Sequence, residues 1–258
     1  MINELKEVWK YRQMLISTVK KDLRSRYRGS FFGFLWTFIN PLMQLIIYSV
    51  VFPFLLRMKE ENYPMFIFIG LLPWIFFTSS VQIATTSIVS NGNLIKKIYF
   101  PRMIIPLSVA STGAMNYIFG LVIVFVSLIV MKIFFSVYIL FLPLVILSQY
   151  IFVAGFCLIL SALYVYFRDL EHIVGIVTMA WFYVTPIVFG LSIFPEKYQK
   201  ILMFNPMTQY VMAYRNIMLY KKPPDLVGFT SVTIFSILLF IAGLFIFRKL
   251  QREFAEEI

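Results

Sequence analysis

Arg24-Ser-Arg-Tyr-Arg-Gly-Ser-Phe-Phe-Gly-Phe-Leu-Trp-Thr-Phe-Ile-Asn-Pro41 brings two opposed chemistries together within eighteen residues. Arg24, Arg26 and Arg28 are hydrated cations, whereas Phe31, Phe32, Phe34, Trp36 and Phe38 crowd the start of an apolar run. Cations beside a membrane span collect on its cytoplasmic side, and aromatic rings collect at the membrane–water interface. The stretch therefore marks where a surface segment turns into a first span, and the side from which that span starts. Gly29 and Gly33 supply the backbone freedom for the turn.

To its left, residues 4–24 read as an amphipathic helix. Leu5, Val8, Trp9, Tyr11, Leu15, Ile16, Val19 and Leu23 fall on one face, with Lys6, Lys10, Lys20, Lys21 and Arg24 on the other. Arg12 falls inside the apolar face and is expected to snorkel or to find a carboxylate. Such a helix lies on a membrane surface or docks on a partner. No cleavable leader is expected, because the first thirty residues carry eight Lys/Arg and no long apolar core.

To its right the chain turns strongly apolar. Over 258 residues it is 60% hydrophobic and 14% charged, with a mean hydropathy of +0.85, which excludes an ordinary water-soluble domain. Six runs are expected to span: approximately 31–56, 65–86, 103–131, 137–167, 173–194 and 226–247. Prolines 41, 53, 73, 106, 143 and 186 are expected to kink or end them. With the N-terminus inside, fifteen of the twenty-three Lys/Arg lie in inner segments, which favours both termini being cytoplasmic. The basic tail Arg248, Lys249 and Arg252 agrees with that topology. Between the last two runs, residues 196–204 and 207–220 are predicted as two short helices flanking Asn205-Pro206. Both are too short to cross, so a re-entrant or interfacial position is expected. The fold expected is an all-α membrane protein in one domain: an interface helix over 1–30, a six-span bundle over 31–247 and a tail over 248–258.

The net charge of +11 does not indicate nucleic acid, since the cations sit between hydrophobic runs. All twelve Asp/Glu lie in loops or at helix ends, which argues against ion-coupled transport. Asn40, Gln44, Gln82, Asn116 and Gln149 are the uncharged polar candidates within spans, either bonding between helices or lining a path. No phosphate-binding loop is present, so a nucleotide-driven process would need its ATP site on another polypeptide. His172, the only histidine, sits in Arg168-Asp169-Leu170-Glu171-His172, which reads as a polar turn rather than a metal site. No catalytic set and no metal site is expected. Lone Cys157 excludes an intramolecular disulfide.

Several motifs occur in a telling order: residues 26–41 of the opening stretch, Gly70-Leu-Leu-Pro-Trp-Ile-Phe-Phe77, Asn93-Leu-Ile-Lys-Lys-Ile-Tyr-Phe-Pro-Arg102, Phe167-Arg-Asp-Leu-Glu-His-Ile173, Thr185-Pro-Ile187, and Asn205-Pro-Met207 followed by Tyr214-Arg215. Together they resemble ABC-2 type permeases of the polysaccharide-export group, those for O-antigen, capsule or wall teichoic acid. The resemblance implies a multi-pass subunit of the bacterial cytoplasmic membrane. It implies a homodimer served by two copies of an ATP-binding cassette subunit, which would hold ATP and Mg, with no cofactor in this chain. The cargo implied is a lipid-linked polysaccharide.

Residue by residue, the resemblance assigns contact with the ATPase to Asn93, Leu94, Ile95, Lys96, Lys97, Ile98, Tyr99 and Arg102, within a coupling segment of about 91–101. It places the translocation path near Phe34, Trp36, Phe38, Asn40, Gln44, Trp181 and Tyr183. It places an external gate at Asn205, Pro206, Tyr210 and Arg215. Relatives are expected to carry a proline and an acidic residue where this chain has Gln209 and Met212, which puts in doubt the partner of Arg215. Arg24, Arg26 and Arg28 would meet phosphates, either of anionic membrane lipid or of the cargo's pyrophosphate. An exporter of a drug or lipid, or a non-transporting anchor, stands as the alternative function.

Overall fold

The computed structural model describes residues 2–25, 31–56 and 62–257, and it is helical throughout, with no strand among the described residues. The N-terminal arm forms α1 (Ile2–Lys10) and α2 (Arg12–Ser25), parted at Tyr11. Its apolar stripe is put to use in packing: Val8, Tyr11, Met14 and Leu15 lie against the core, and α2 runs beside α6 (Ile104–Val130). Arg12 is exposed, and among the described side chains it is held by Trp9. Its guanidinium covers the Trp9 ring at 5.4 Å and donates to the Trp9 carbonyl at 3.3 Å. A cation over an indole face is attracted by the ring quadrupole, so the apolar stripe tolerates it. Gly33, at φ +47°, makes the turn ahead of α3 (Trp36–Leu56); a side chain is disfavoured in that left-handed conformation.

Helix α4 (Tyr63–Ser90) is the axis of the bundle. Of its apolar window 72% is buried, against 33% for α6, 39% for the stretch Val137–Tyr164 that contains α7 (Leu142–Tyr164), and 28% for α11 (Leu226–Leu250). These four helices are long and apolar enough to cross a membrane. Helix α3 packs on α4 and α6, and α8 (Leu170–Val184) packs on α4 and α7. Pro73 lies inside α4 without ending it.

The expected run over 173–194 is not one helix. Helix α8 stops at Val184, giving about 22 Å of rise at 1.5 Å per residue. Thr185 is extended at φ −102° and ψ 129°, as the residue before a proline prefers. The chain then passes through irregular backbone to α9 (Glu196–Met203) and α10 (Pro206–Met218), the two short helices expected from the sequence. Helix α10 lies among α4, α7 and α11 rather than on the surface, and Tyr210, Tyr214 and Arg215 are fully buried.

The α7–α11 pair shows how close packing is achieved without a water-driven hydrophobic force. A Cβ on Gly243 would stand 2.8 Å from the carbonyl oxygen of Gly155, and one on Gly155 would stand 3.0 Å from the amide nitrogen of Phe240. Small residues let backbones approach in lipid, where van der Waals packing drives association. Neither neighbour is a flexible side chain, so the clash cannot be relieved by a rotamer change. Gly243→Val is expected to destabilise the bundle by about 1–3 kcal/mol, read as a lower thermal midpoint in detergent. An unchanged midpoint would contradict this close approach.

Candidate functional site

Buried polar groups fix α10 in place. Tyr210 shares its hydroxyl with Ser148 of α7 and Ser236 of α11, each at 2.8 Å, and Ser148 continues to Thr233 at 2.9 Å. The Tyr214 hydroxyl donates to Gln149 Oε1 at 2.8 Å, and Gln149 Nε2 donates to the Pro73 carbonyl at 2.8 Å. Gln149, left open between two roles by its sequence, thus bonds between helices. Gln82 does the same, donating from α4 to Thr178 Oγ1 of α8 at 3.2 Å.

Arg215 is the most heavily committed of the gate residues. It donates through Nε to the Phe66 carbonyl at 3.1 Å and through Nη1 to the Pro186 carbonyl at 2.6 Å; Nη2 donates to the Ile187 carbonyl. Its guanidinium lies 3.4 Å from the Phe66 ring centroid. A Cβ on Gly70 would stand 2.7 Å from Nη2, so the glycine makes room for the fork. Where an acidic residue was expected at position 212, Arg215 is instead met by these backbone carbonyls. Those of Pro186 and Ile187 belong to the irregular segment after α8, where helical bonding has ended.

Asn205 works from the same segment. Its Oδ1 accepts from Trp181 Nε1 at 2.9 Å and from the Met207 amide at 3.0 Å, capping α10, while Nδ2 donates to Thr185 Oγ1 at 3.0 Å. One predicted path residue, Trp181, is thus joined to one predicted gate residue. Pro206 begins α10, where a missing N–H costs nothing. Asn205→Ala removes the cap and the ties to Trp181, Val184 and Thr185 at the end of α8. A loss of about 1–2 kcal/mol is expected, measurable by thermal unfolding, and no loss would deny Asn205 its anchoring role.

Of the other predicted path residues, Trp36, Asn40 and Gln44 recur at four-residue spacing along α3, whereas Tyr183 stands on α8. Phe38 faces Phe119 of α6 at 5.6 Å, and Trp36 meets Phe32 edge-on at 5.6 Å. Asn40 is exposed and Gln44 half-buried. Tyr183 is 79% exposed on α8. The Phe34 side chain, with Arg26 and Arg28, lies outside the described residues; Arg24 is exposed in the last turn of α2.

At the opposite end of the bundle from Asn205, Asn93 to Lys97 fall in α5 (Gly92–Lys97), and the chain extends from Ile98 before α6 begins. Ile95 is buried and Leu94 packs on the core, whereas Asn93, Lys96, Lys97, Ile98 and Tyr99 are exposed, Tyr99 to 89%. Arg102 is half-buried and donates Nη1 to the Gln251 carbonyl just past α11. The C-terminal turn α12 (Phe254–Glu257) folds back beside α5. Phe254 is fully buried, edge-on to Phe247 at 5.5 Å. Tyr166 donates to the Leu250 carbonyl at 2.9 Å and to Glu253 at 3.3 Å. Burial, aided by the Glu253 and Glu257 carboxylates, pushes the Tyr166 phenol up, so it stays protonated as a donor. Sequence reasoning missed Tyr166, Gln251 and Phe254; an apolar Phe254 within the charged tail was the available signal.

Among the described residues no group of three or more His, Cys, Asp or Glu side chains is placed to hold a metal. His172 is exposed, and the adjacent Glu171 accepts from Tyr164 at 3.1 Å.

Long apolar helices around a buried central helix, with a charged end where a short exposed segment meets the C-terminal turn, define a multi-pass membrane protein. Residues 13–219 match the ABC-2 type transporter family, and the chain belongs to that family. It is 36% identical over 260 residues to the O-antigen export system permease protein RfbA of Myxococcus xanthus, covering 100% of both chains. It is 35% identical to the Klebsiella pneumoniae protein of the same name, covering 94% of each. The polysialic acid transport protein KpsM of Escherichia coli is 23% identical over 88% of this chain and 90% of its own. The family and the apolar helices place the chain in the bacterial inner membrane as a multi-pass transport permease.

Proposed function

We propose that this chain is the membrane subunit of an ATP-driven exporter that moves a lipid-linked polysaccharide, of the O-antigen or capsule kind, across the cytoplasmic membrane. The observation that carries this reading is its end-to-end similarity to O-antigen export permeases. In it α3 and α8 count as spans beside the four long helices, both termini are cytoplasmic, and α9 and α10 re-enter from the outside. The interface helix α1–α2 lies on the cytoplasmic surface, where Arg24, Arg26 and Arg28 meet phosphates.

Two copies pair, each served by one ATP-binding subunit that holds ATP and Mg. The exposed apolar faces of α3 (Met43, Ile46, Ile47) and α8 (Ile173, Ile176, Val177) support pairing, since neither helix buries them within one copy. A path between copies would be walled by these helices. Exposed Asn40 and Tyr183 would offer the glycan hydrogen bonds without tight binding. ATP-driven closure of the partner subunits would press on α5, which follows α4 after one residue and leads to α6 through residues 98–103. The ties of Asn205 and Arg215 to the end of α8 would carry movement on to the external helices.

The test is purification from native membranes. The chain is expected to come away with an ATP-binding cassette subunit whose hydrolysis it alters, and its deletion is expected to trap lipid-linked polymer inside the cell. Normal surface polymer in the deletion strain would overturn the reading.

A further inference from the structure

A pocket of about 590 Å³ opens where α5 and the extended residues after it meet the C-terminal turn. Its walls come from three separate parts of the chain: residues 95–103, Gln251 with Arg252, and Glu7 of α1. Four cations border it, Lys96, Lys97, Arg102 and Arg252, against the single carboxylate of Glu7. Arg102 is engaged with the Gln251 carbonyl. Lys96, Lys97 and Arg252 are exposed and make no hydrogen bond or ion pair among the described residues.

The hollow is held rigid from beneath. Arg102 and Tyr166 satisfy the Gln251 and Leu250 carbonyls at the end of α11, groups that a helix C-terminus leaves without partners. Phe254, sealed against Phe247, stops the turn from peeling away. The last turn of α11 carries Arg248 and Lys249, with Arg252 just beyond it, and cations of this kind stay out of a hydrocarbon core. The pocket thus faces water, with Ile98 (56% exposed) and Tyr99 among its lining residues.

We propose that this pocket receives a carboxylate-bearing segment of the ATP-binding subunit, so that the partner's footprint includes the C-terminal turn as well as α5. The inference rests on the reading of α5 as the coupling segment. Charge complementarity selects an acidic occupant: three exposed cations cluster around a concave surface, and an opposite charge placed among them is favoured both in encounter and in register. The exposed isoleucine and tyrosine add apolar contact. An anionic headgroup suits a strip of cations parallel to the membrane, such as that on α1–α2, better than a hollow beyond the end of a span.

The experiment measures binding of the cognate ATP-binding cassette subunit to the full-length permease in a neutral detergent over a range of salt. Lys97→Glu with Arg252→Glu is expected to weaken binding by about tenfold or more at low salt and to flatten its salt dependence. Lys20→Glu with Lys21→Glu, an equal charge change on α2, is expected to leave both as in the wild type. Carbodiimide coupling is expected to join Lys96 or Lys97 to an Asp or Glu of the partner. Wild-type affinity and salt slope in the Lys97/Arg252 variant overturn the inference while leaving the exporter reading intact. A difference that appears only when phosphatidylglycerol is added assigns the pocket to lipid and overturns it too. Failure of the unaltered permease to bind any ATP-binding subunit removes the exporter reading itself.

Discussion

Arg215→Ala is expected to destabilise the protein by about 3–5 kcal/mol, because three hydrogen bonds from a charged donor, each worth about 1.5 kcal/mol or more, are lost together. The carbonyls of Pro186 and Ile187 lose this donor, and the Phe66 carbonyl is left with its helical partner alone. A buried acceptor left unsatisfied costs about 1–3 kcal/mol, and the irregular chain after α8 has no helical neighbour to replace the guanidinium. The Phe66 ring also loses the cation stacked on it. Arg215→Lys should recover only part of the loss, because an ammonium cannot reproduce the planar fork that reaches carbonyls on two elements. Thermal unfolding in detergent, with limited proteolysis between α8 and α9, measures both variants. A wild-type midpoint in Arg215→Ala would show that the site is not holding α4, α10 and the end of α8 together.

The second large effect is functional and leaves the fold alone. Ile98→Asp with Tyr99→Asp is expected to abolish stimulation of the partner ATPase and to cut export by more than about tenfold, as loss of a buried apolar anchor does at protein interfaces. Both side chains are exposed, at 56% and 89%, so the variant should assemble in the membrane at normal levels. Ile95→Asp is the contrast. Its side chain is buried, and a carboxylate there should lower the amount of folded protein instead. If the Ile98/Tyr99 variant exports polymer normally, α5 is not the coupling segment. If it is poorly made, the two residues serve the fold rather than a partner.

That contrast shows how far the Asn93–Arg102 motif could be resolved from sequence. The motif placed a short segment between two spans, and the order of α4, α5 and α6 has a six-residue helix between two long apolar ones. It could not divide the segment into Ile95, which faces the core, and Ile98 and Tyr99, which do not, because the helix ends at Lys97 and its periodicity ends with it. The 173–194 run carries a similar lesson. Hydropathy continues through Pro186 to Phe194, whereas helical bonding stops at Val184, since hydropathy has no term for the missing proline N–H. Arg12 is the reverse case: its conflict with the apolar face was visible, but its resolution on Trp9 depended on the rings and rotamers available nearby.

What the sequence determined by itself is the class of the molecule and the family: apolar runs of spanning length, two short helices about Asn205-Pro206, and motifs in the ABC-2 order. These are sums over neighbouring residues, and local chemistry is sufficient for them. The tertiary structure alone decided which polar groups bear on one another. Arg215 bonds to Phe66 and Arg102 to Gln251, each across 149 residues of chain. A buried donor must take whichever acceptor the packing brings to it. The opening stretch illustrates both sides of this division. Its arginines and aromatics announced the apolar helix α3, but only packing turned Phe38 toward Phe119 of α6 and left Asn40 exposed.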